Sequence, residues 1–294
     1  MPSATAAAAA SARASAPGFT EDMLSLVSRV ARAVRPPPVR ALHMPPVFTP
    51  GLKDGEFCAL ELEDGSIGLS YVLLGDTLQA LLGARPDRQL AGLEALELAR
   101  WYRDADPARR ALGFAAMNAI SQHLFRLARW EPDWTTDSMG LIDPRPGERI
   151  GMVGYFPPLA QRVVETGAAL VVVELDPSLV GPREGFRVTL DAGELAACDK
   201  VLSTTTLMLN DTVDAVIAAS RGARQLVMIG PGGGCLPDPL FARGVTALGG
   251  TAIVDRDGFV DALSRGQRWG AFARKYCILR DRYPGADALL ARLS

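Results

Sequence analysis

Histidine is nearly absent from this chain: His43 and His123 are the only two in 294 residues, and their spacing is unrelated. Cysteine is scarce as well. Cys58, Cys198, Cys235 and Cys277 are scattered, with no Cys-x-x-Cys pair. Tight soft-metal sites are built from these two residue types, so a dense protein cage for such a metal is disfavoured. The cysteine usage fits a reduced cytoplasm better than a disulfide framework. No His-Glu-x-x-His, Gly-x-Ser-x-Gly or P-loop pattern occurs, which removes the commonest zinc-protease, serine-hydrolase and nucleotide-triphosphatase signatures. A long basic run is also missing. With 31 Lys+Arg against 33 Asp+Glu the formal net charge is -2, which argues against a nucleic-acid partner. The longest apolar stretches are strand-sized, short of the roughly 20 residues that span a bilayer, so no membrane partner is expected. There is no internal repeat.

What the chain does contain is a strand-loop-helix series between Glu148 and Asp255. Glu148-Arg-Ile-Gly-Met-Val-Gly154 runs into Tyr155-Phe-Pro-Pro158. Ala169-Leu-Val-Val-Val173 ends in Glu174. Lys200-Val-Leu202 ends in Ser203-Thr-Thr-Thr206, and Gln225-Leu-Val-Met-Ile229 ends in Gly230-Pro-Gly-Gly-Gly-Cys235. Apolar runs alternating with helical patterns are what a parallel sheet covered on both faces requires. The fold class is therefore α/β, a Rossmann-like, mostly parallel sheet, with ligands expected outside the carboxyl ends of its strands.

The amino-terminal half reads differently. Residues 1–18, rich in Ala, Ser and Pro, are expected to be a disordered tail, since they lack the continuous apolar core of a secretory signal. Thr20 can cap a helix through Val34, which Pro36-Pro-Pro38 stops. Phe57 to Glu63 and Ser66 to Leu73 are strand-like and joined by Asp64-Gly65, a hairpin signal. Helical segments follow at Thr77–Leu82, Gly92–Arg103 and Pro107–Trp130, the last beginning with a proline whose missing N–H costs nothing there. This predicts a smaller α+β unit at 19–142, a linker at Asp143-Pro-Arg-Pro-Gly147, and the Rossmann-like unit at 148–294.

Three loops could carry chemistry. Gly151-Met-Val-Gly154 before a helix resembles the first turn of a nucleotide-binding fold. Glu174 stands where an acidic side chain accepts from ribose hydroxyls. The third glycine is absent, and Tyr155-Phe-Pro-Pro158 both crowds the pyrophosphate position and removes N–H donors. A tight turn with an exposed Glu174 is the competing reading. Ser203, Thr204, Thr205 and Thr206 offer four consecutive hydroxyls to a polar ligand, followed by Asn210. Capping is the alternative, since Asp211 and Asp214 approximate a capping box. In the third loop, Gly232-Gly-Gly234 either forms an anion-binding concavity or serves the chain's conformation alone. Cys235 is either a thiolate near a helix start or a small buried hydrophobe. On the long helix His123 is expected to be structural, and Asn118 either reaches across the domain boundary toward the loops or is exposed.

Taken together, Leu112-Gly-Phe-Ala-Ala-Met-Asn-Ala119, Gly154-Tyr155, Glu174, Thr204-Thr-Thr-Leu-Met-Leu-Asn-Asp-Thr212, Gly230-Pro231 and Leu240-Phe-Ala-Arg-Gly244 resemble the family described as "putative heavy-metal chelation". The resemblance covers nearly the whole chain after the tail. It implies a small enolase-amino-terminal-like domain joined to a Rossmann-like domain, with the site between them. One departure stands out: where the family continues after Gly-Pro with hydroxyl residues and a proline, this chain has Gly232-Gly-Gly-Cys235. That change implies a different ligand or an altered reaction.

The expected ligand-binding residues are Asn118, Gly154, Tyr155, Glu174, Ser203, Thr204, Thr205, Asn210, Gly230, Pro231 and Gly233. Cys235 is the one thiol placed to serve as a metal ligand. The favoured function is binding or processing of a small metal-chelating metabolite or its metal complex, with a metal ion or metal chelate as the cofactor-like component. A nucleoside cofactor of the S-adenosylmethionine type, with Glu174 on its ribose, is the enzymatic alternative. A non-enzymatic binding or accessory protein is the third reading. The expected partners are the small-molecule or metal-chelate ligand and a second copy of the chain in a homodimer.

Overall fold

The computed structural model describes residues 18–46, 56–137 and 139–293. The expected tail thus lies outside the described residues, apart from Gly18. Helix α1 (Phe19–Val34) begins before the anticipated Thr20 cap. Its cap residue is Gly18, which offers no side chain. The Phe19 N–H instead donates to Asp214 Oδ2 at 3.0 Å, an acceptor from the other half of the chain. Arg35, left-handed at φ +46, ends the helix ahead of the prolines.

Strands β1 (Val39–His43), β2 (Phe57–Leu62) and β3 (Ile67–Tyr71) form an antiparallel sheet in that order. β2 and β3 are the expected hairpin. Gly65 supplies φ +85, and the Leu62 N–H donates to the Ser66 carbonyl at 2.9 Å. β1 is an edge strand too short and too close to prolines to announce itself in the sequence.

Helices α2 (Thr77–Ala84) and α3 (Ala95–Ala99) follow. The single helix expected over 92–103 is instead α3 continued by a tighter 3₁₀ turn at Arg100–Arg103. α4 (Pro107–Leu127) starts where Pro107 predicts. The Asp106 carboxylate caps it, accepting from the Ala108 and Arg109 N–H groups at 2.8 and 3.4 Å. It stops short of Trp130 because Arg129 turns left-handed at φ +47. From Ala111 to Ile120 α4 is apolar on every side but for Asn118, a pattern only a buried helix tolerates; Phe114, Met117 and Ile120 are fully enclosed.

The second unit contains β4 (Asp133–Trp134), β5 (Arg149–Val153), β6 (Ala169–Val173), β7 (Gly181–Arg183), β8 (Phe186–Thr189), β9 (Lys200–Thr204), β10 (Gln225–Ile229), β11 (Ala247–Ile253) and β12 (Ala273–Leu279). Across the sheet the order is β4-β12-β11-β10-β9-β5-β6-β8-β7. The strands from β11 to β8 run parallel. β12 and β4 on one edge, and β7 on the other, pair antiparallel with their neighbours. Helices α5 (Pro157–Glu165), α6 (Val213–Ala219), α7 (Asp238–Ala242), α8 (Arg256–Ser264) and α9 (Ala286–Ala291) complete the unit. From β5 the chain moves outward to β6 and β8, then returns to β9 on the other side of β5. This reversal is a topological switch point, where diverging loops leave a crevice.

The chain joins the large sheet earlier than the proline-rich linker suggests. β4 pairs with β12, and Met139 and Ile142 belong to the same core as Ile150 and Met152. Among the described residues, no helix is long and apolar enough to cross a membrane.

β2 ties the two units together, because every one of its residues is buried. Cys58, Leu60 and Leu62 belong to the core with α1 and α4. Phe57 and Ala59 pack with Phe259, Leu263 and Trp269 of the second unit, Phe57 meeting Trp269 edge-on at 6.4 Å. Each large apolar side chain so enclosed stabilises the fold by about 1.5–3 kcal/mol. Next to them the Glu61 carboxylate, fully buried, accepts a bidentate pair from Arg256 at 2.7 and 3.0 Å and bonds His43 Nε2 at 2.8 Å. Burial alone would raise the Glu61 pKa, but Arg256 and His43 more than offset it and hold the carboxyl below its usual range.

Replacing Glu61 with Gln removes the charge that Arg256 and His43 need. It should destabilise the protein by about 2 kcal/mol at neutral pH. Because the folded pKa lies below the unfolded one, this contribution is complete above about pH 4.5 and fades as pH falls through the folded value. Urea denaturation of both proteins at neutral pH and near pH 3 checks this: the gap between them should shrink in acid.

Candidate functional site

A cleft of about 900 Å³ opens at the carboxyl ends of the parallel strands. Loops after β5, β6, β9 and β10 form one side. Glu56, Phe57, Tyr71 and Leu74 of the small unit form the facing wall, with Trp269, Lys275 and Tyr276 contributed from the β12 side.

Gly154 ends β5 at φ +86 and lies against Thr204, so the loops after β5 and β9 touch at the switch point. The Glu174 carboxylate, half-buried at the end of β6, accepts the Tyr155 N–H and, at 3.0 Å, the Leu175 N–H. Two backbone donors therefore orient it, and it is not merely exposed. Pro157 and Pro158 occupy the first turn of α5 and leave that helix start poor in donors.

The four hydroxyls divide. Ser203 is buried, donates to the Thr204 carbonyl at 3.3 Å and does not reach the cleft. Thr204, Thr205 and Thr206 line it, with Thr204 Oγ1 accepting the Thr206 N–H at 3.1 Å. The capping-box explanation fails. Asp211 sits at φ +59, and Asp214 is drawn away to the Phe19 N–H and to Arg243 at 2.8 Å. Asn210 lines the cleft, and its Oδ1 accepts from the Thr212 hydroxyl at 2.6 Å and the Thr212 N–H at 3.3 Å.

Only Gly230 and Pro231 of the glycine loop face the cleft. Beyond them the chain turns inward. The Gly232 carbonyl accepts from Asn118 Nδ2 at 3.0 Å, that of Gly233 from the Tyr276 hydroxyl at 3.1 Å, and that of Gly234 from Gln122 Nε2 at 2.9 Å. At Gly233 a Cβ would collide with the Gly249 carbonyl, so close backbone approach is what requires glycine there. The expected anion-binding concavity at Gly233 is thus corrected to a buried strap. Asn118 does cross the boundary as one reading predicts, and Nδ2 also reaches the Leu69 carbonyl at 2.7 Å. It stands behind the loop rather than in the cleft.

Cys235 also follows the loop inward. Its sulfur is fully buried, 4.0 Å from Met208 Sδ, and burial pushes the thiol up to about 12. A neutral thiol enclosed in the core, with no access to the cleft, corrects the expectation of a metal ligand. His123 bonds Asp64 Oδ2 at 2.6 Å through Nδ1, while its buried Nε2 finds no partner among the described residues, so the expected structural histidine is satisfied on one side only. Burial opposes charge on Asp64, yet His123, the Ser66 N–H and Arg126 together hold its carboxyl far below the usual range.

Eight of the expected ligand residues therefore share the cleft, and Asn118, Ser203 and Gly233 stand behind it. Sequence reasoning missed Glu56, Tyr71, Trp269, Lys275 and Tyr276. The one available signal was the hairpin itself: Phe57 and Tyr71 pair across its open end, away from the Asp64-Gly65 turn, where a second wall has to begin. Burial, then the Glu56 and Glu174 charges, push the Tyr71 phenol up to about 12, so it remains a hydrogen-bond donor at neutral pH.

Two consequences can be measured. Gly233→Ala should lower stability by about 1–3 kcal/mol through overpacking, read as a drop in melting temperature. All four cysteines are free and buried, so a thiol reagent should label the native protein slowly and the urea-unfolded chain promptly. Fast native labelling of Cys235 would contradict its enclosure.

Two family profiles described as "Putative heavy-metal chelation" match residues 55–121 and 137–280. A protein of unknown function from Pyrococcus horikoshii has a solved structure similar to this one at TM-score 0.64. The two are 22% identical, and the match covers 89% of this chain and 99% of that one. A second, from Desulfitobacterium hafniense, aligns at TM-score 0.62 with 19% identity over 87% of this chain and 98% of that one. At such identities the likeness establishes the fold alone, a large, mostly parallel sheet joined to a smaller unit with an antiparallel sheet. An uncharacterized protein of Methanocaldococcus jannaschii is 30% identical over 156 residues, 52% of this chain and 58% of that protein, so the match spans less than two thirds of the relative. With both profiles matched in sequence order and the same two-unit fold around them, the chain belongs to the family described as putative heavy-metal chelation.

Proposed function

We propose that the cleft binds, or acts on, a small metal-chelating metabolite or its metal complex. One observation carries this reading: the cleft is walled by aromatic side chains and oxygen donors, with no histidine or cysteine among its described lining residues. Among the described residues, no group of three or more His, Cys, Asp or Glu side chains could hold a metal ion. A soft metal arriving bare would meet only hard oxygen donors. Arriving inside an organic chelator, it needs no protein ligand at all. Phe57, Tyr155 and Trp269 then cover the apolar body, while Thr204, Thr205, Asn210 and Glu174 orient the polar edge. Gly154, Gly230 and Pro231 let the backbone form the floor. The free cysteines fit a reducing cytoplasm.

The position of Glu174 supports a second reading. It stands at the end of the second strand beside the switch point, where a nucleoside cofactor of the S-adenosylmethionine type presents its ribose. The prolines at the start of α5 count against a diphosphate-bearing cofactor. A non-enzymatic accessory role uses the same binding geometry without a chemical step.

Thermal denaturation in the presence of metal ions, free chelators, preformed metal chelates, nucleotides and S-adenosylmethionine distinguishes these. A ligand at about 100 times its dissociation constant should add about 2.7 kcal/mol of stability. Stabilisation by chelators or chelates is expected. A shift produced by nucleosides alone would replace the first reading with the second.

A further inference from the structure

One polar side chain of the cleft is enclosed and yet unengaged. Thr205, on the loop after β9, is only 4% exposed, and its hydroxyl has no hydrogen-bond partner among the described residues. Ser70 Oγ, Asn118 Oδ1 and His123 Nε2 also lack partners, but they are sealed inside the protein. The Thr205 oxygen is not sealed, and the small part of this side chain left open lies on the cleft. Enclosing a hydroxyl without a partner costs free energy, so folding does not explain its place. Gly230 keeps it uncovered, because a Cβ there would fall on the Thr205 oxygen.

Its neighbours show the same imbalance. Thr204 and Thr206 share one hydrogen bond between their hydroxyls at 2.9 Å, which leaves one hydroxyl proton of the pair over. Thr204 Oγ1 is further occupied by the Thr206 N–H. Asn210 Oδ1 is engaged by Thr212, which fixes the amide and leaves both Nδ2 protons without a described partner. The acceptors of this loop are thus used within it, while O–H and N–H donors remain. All of these residues line the cleft, and none carries a charge. Leu207 and Val216 beside them are apolar and offer a ligand no competing polar group.

Resting on the reading of the cleft as a chelate site, we propose that the loop after β9 determines specificity by receiving an acceptor-only oxygen of the ligand. The class is the carbonyl-type oxygen of a carboxylate or of a neutral hydroxamate. Thr205 donates to that oxygen, and the Thr204–Thr206 pair and Asn210 supply further donors. A ligand edge built of amine N–H groups sets donor against donor and is rejected.

Three complexes of one metal test this and separate the two oxygen sources. Nickel nitrilotriacetate presents carboxylate oxygens, nickel acetohydroxamate presents neutral hydroxamate oxygens, and nickel triethylenetetramine presents only N–H groups. Binding to the full-length protein is followed by calorimetry. At least one oxygen-edged complex should bind about tenfold or more tightly than the amine complex, and the tighter of the two identifies the source. Thr205→Val exchanges the hydroxyl for a methyl and should weaken that complex about tenfold, whereas Thr205→Ser keeps the hydroxyl and should stay within about twofold. The melting temperature of Thr205→Val should not fall, because the hydroxyl it removes holds nothing in the fold. If the added methyl unsettles the loop, Thr205→Ala compared with Thr205→Ser reads the hydroxyl alone. Equal or tighter binding of the amine complex, or full affinity without the hydroxyl, would overturn this inference and leave the chelate reading standing. Binding of none of the three complexes would overturn both.

Discussion

The cleft keeps its shape because one buried helix supplies hydrogen bonds that the loops could not make themselves. Asn118, Ser121 and Gln122 lie at positions i, i+3 and i+4 on the largely buried α4, so they share a face. They satisfy the Gly232 carbonyl, the Leu236 N–H at 3.2 Å and the Gly234 carbonyl. A glycine-rich loop can leave solvent only if its backbone groups find such partners. The loop after β9 is held in the same manner. The Tyr102 hydroxyl donates to the Met208 carbonyl, and Arg110 pairs with Asp211. The small unit is therefore the framework on which the loops of the large sheet are set.

Acidic side chains in this protein fall into two groups. Glu61 and Asp64 are answered by protein cations and by histidine, and these pairs serve the docking of the units and the closure of the hairpin. Glu56 and Glu174 stand instead on the cleft lining, where Lys275 is the one cation among the described residues. Composition hides this division, since the near-balance of charge over the whole chain says nothing about where the acids gather.

The sequence discloses what is decided locally. Asp64-Gly65, Pro107 and the apolar runs each act within a few residues, and the structure follows them. Features decided by docking were not legible. Asp211 and Asp214 look like a capping box, yet Asp214 leaves its own helix to cap α1. Cys235 follows the cleft-lining Gly230-Pro231 by only a few residues, and three glycines permit the chain to turn either way; contact with α4 decides that it turns inward. Glu56, Tyr71 and Lys275 come to the cleft only when the small sheet meets β12, and nothing in their own neighbourhood announces it. Asn118 was readable in part, since a polar residue in an apolar helix needs a partner somewhere.

The burial of β2 on both faces bears on how the chain comes to be folded. One face closes against α4, which follows within about a hundred residues of chain, but the other waits for α8 and Trp269, some two hundred residues downstream. During synthesis at about 5–20 residues per second, the small sheet emerges long before the partner for its second face. In that interval Phe57, Ala59 and Leu69 remain uncovered, a surface of the kind that invites association with other nascent chains. The same sandwich that unites the units in the finished protein makes the first half dependent on the second throughout its assembly.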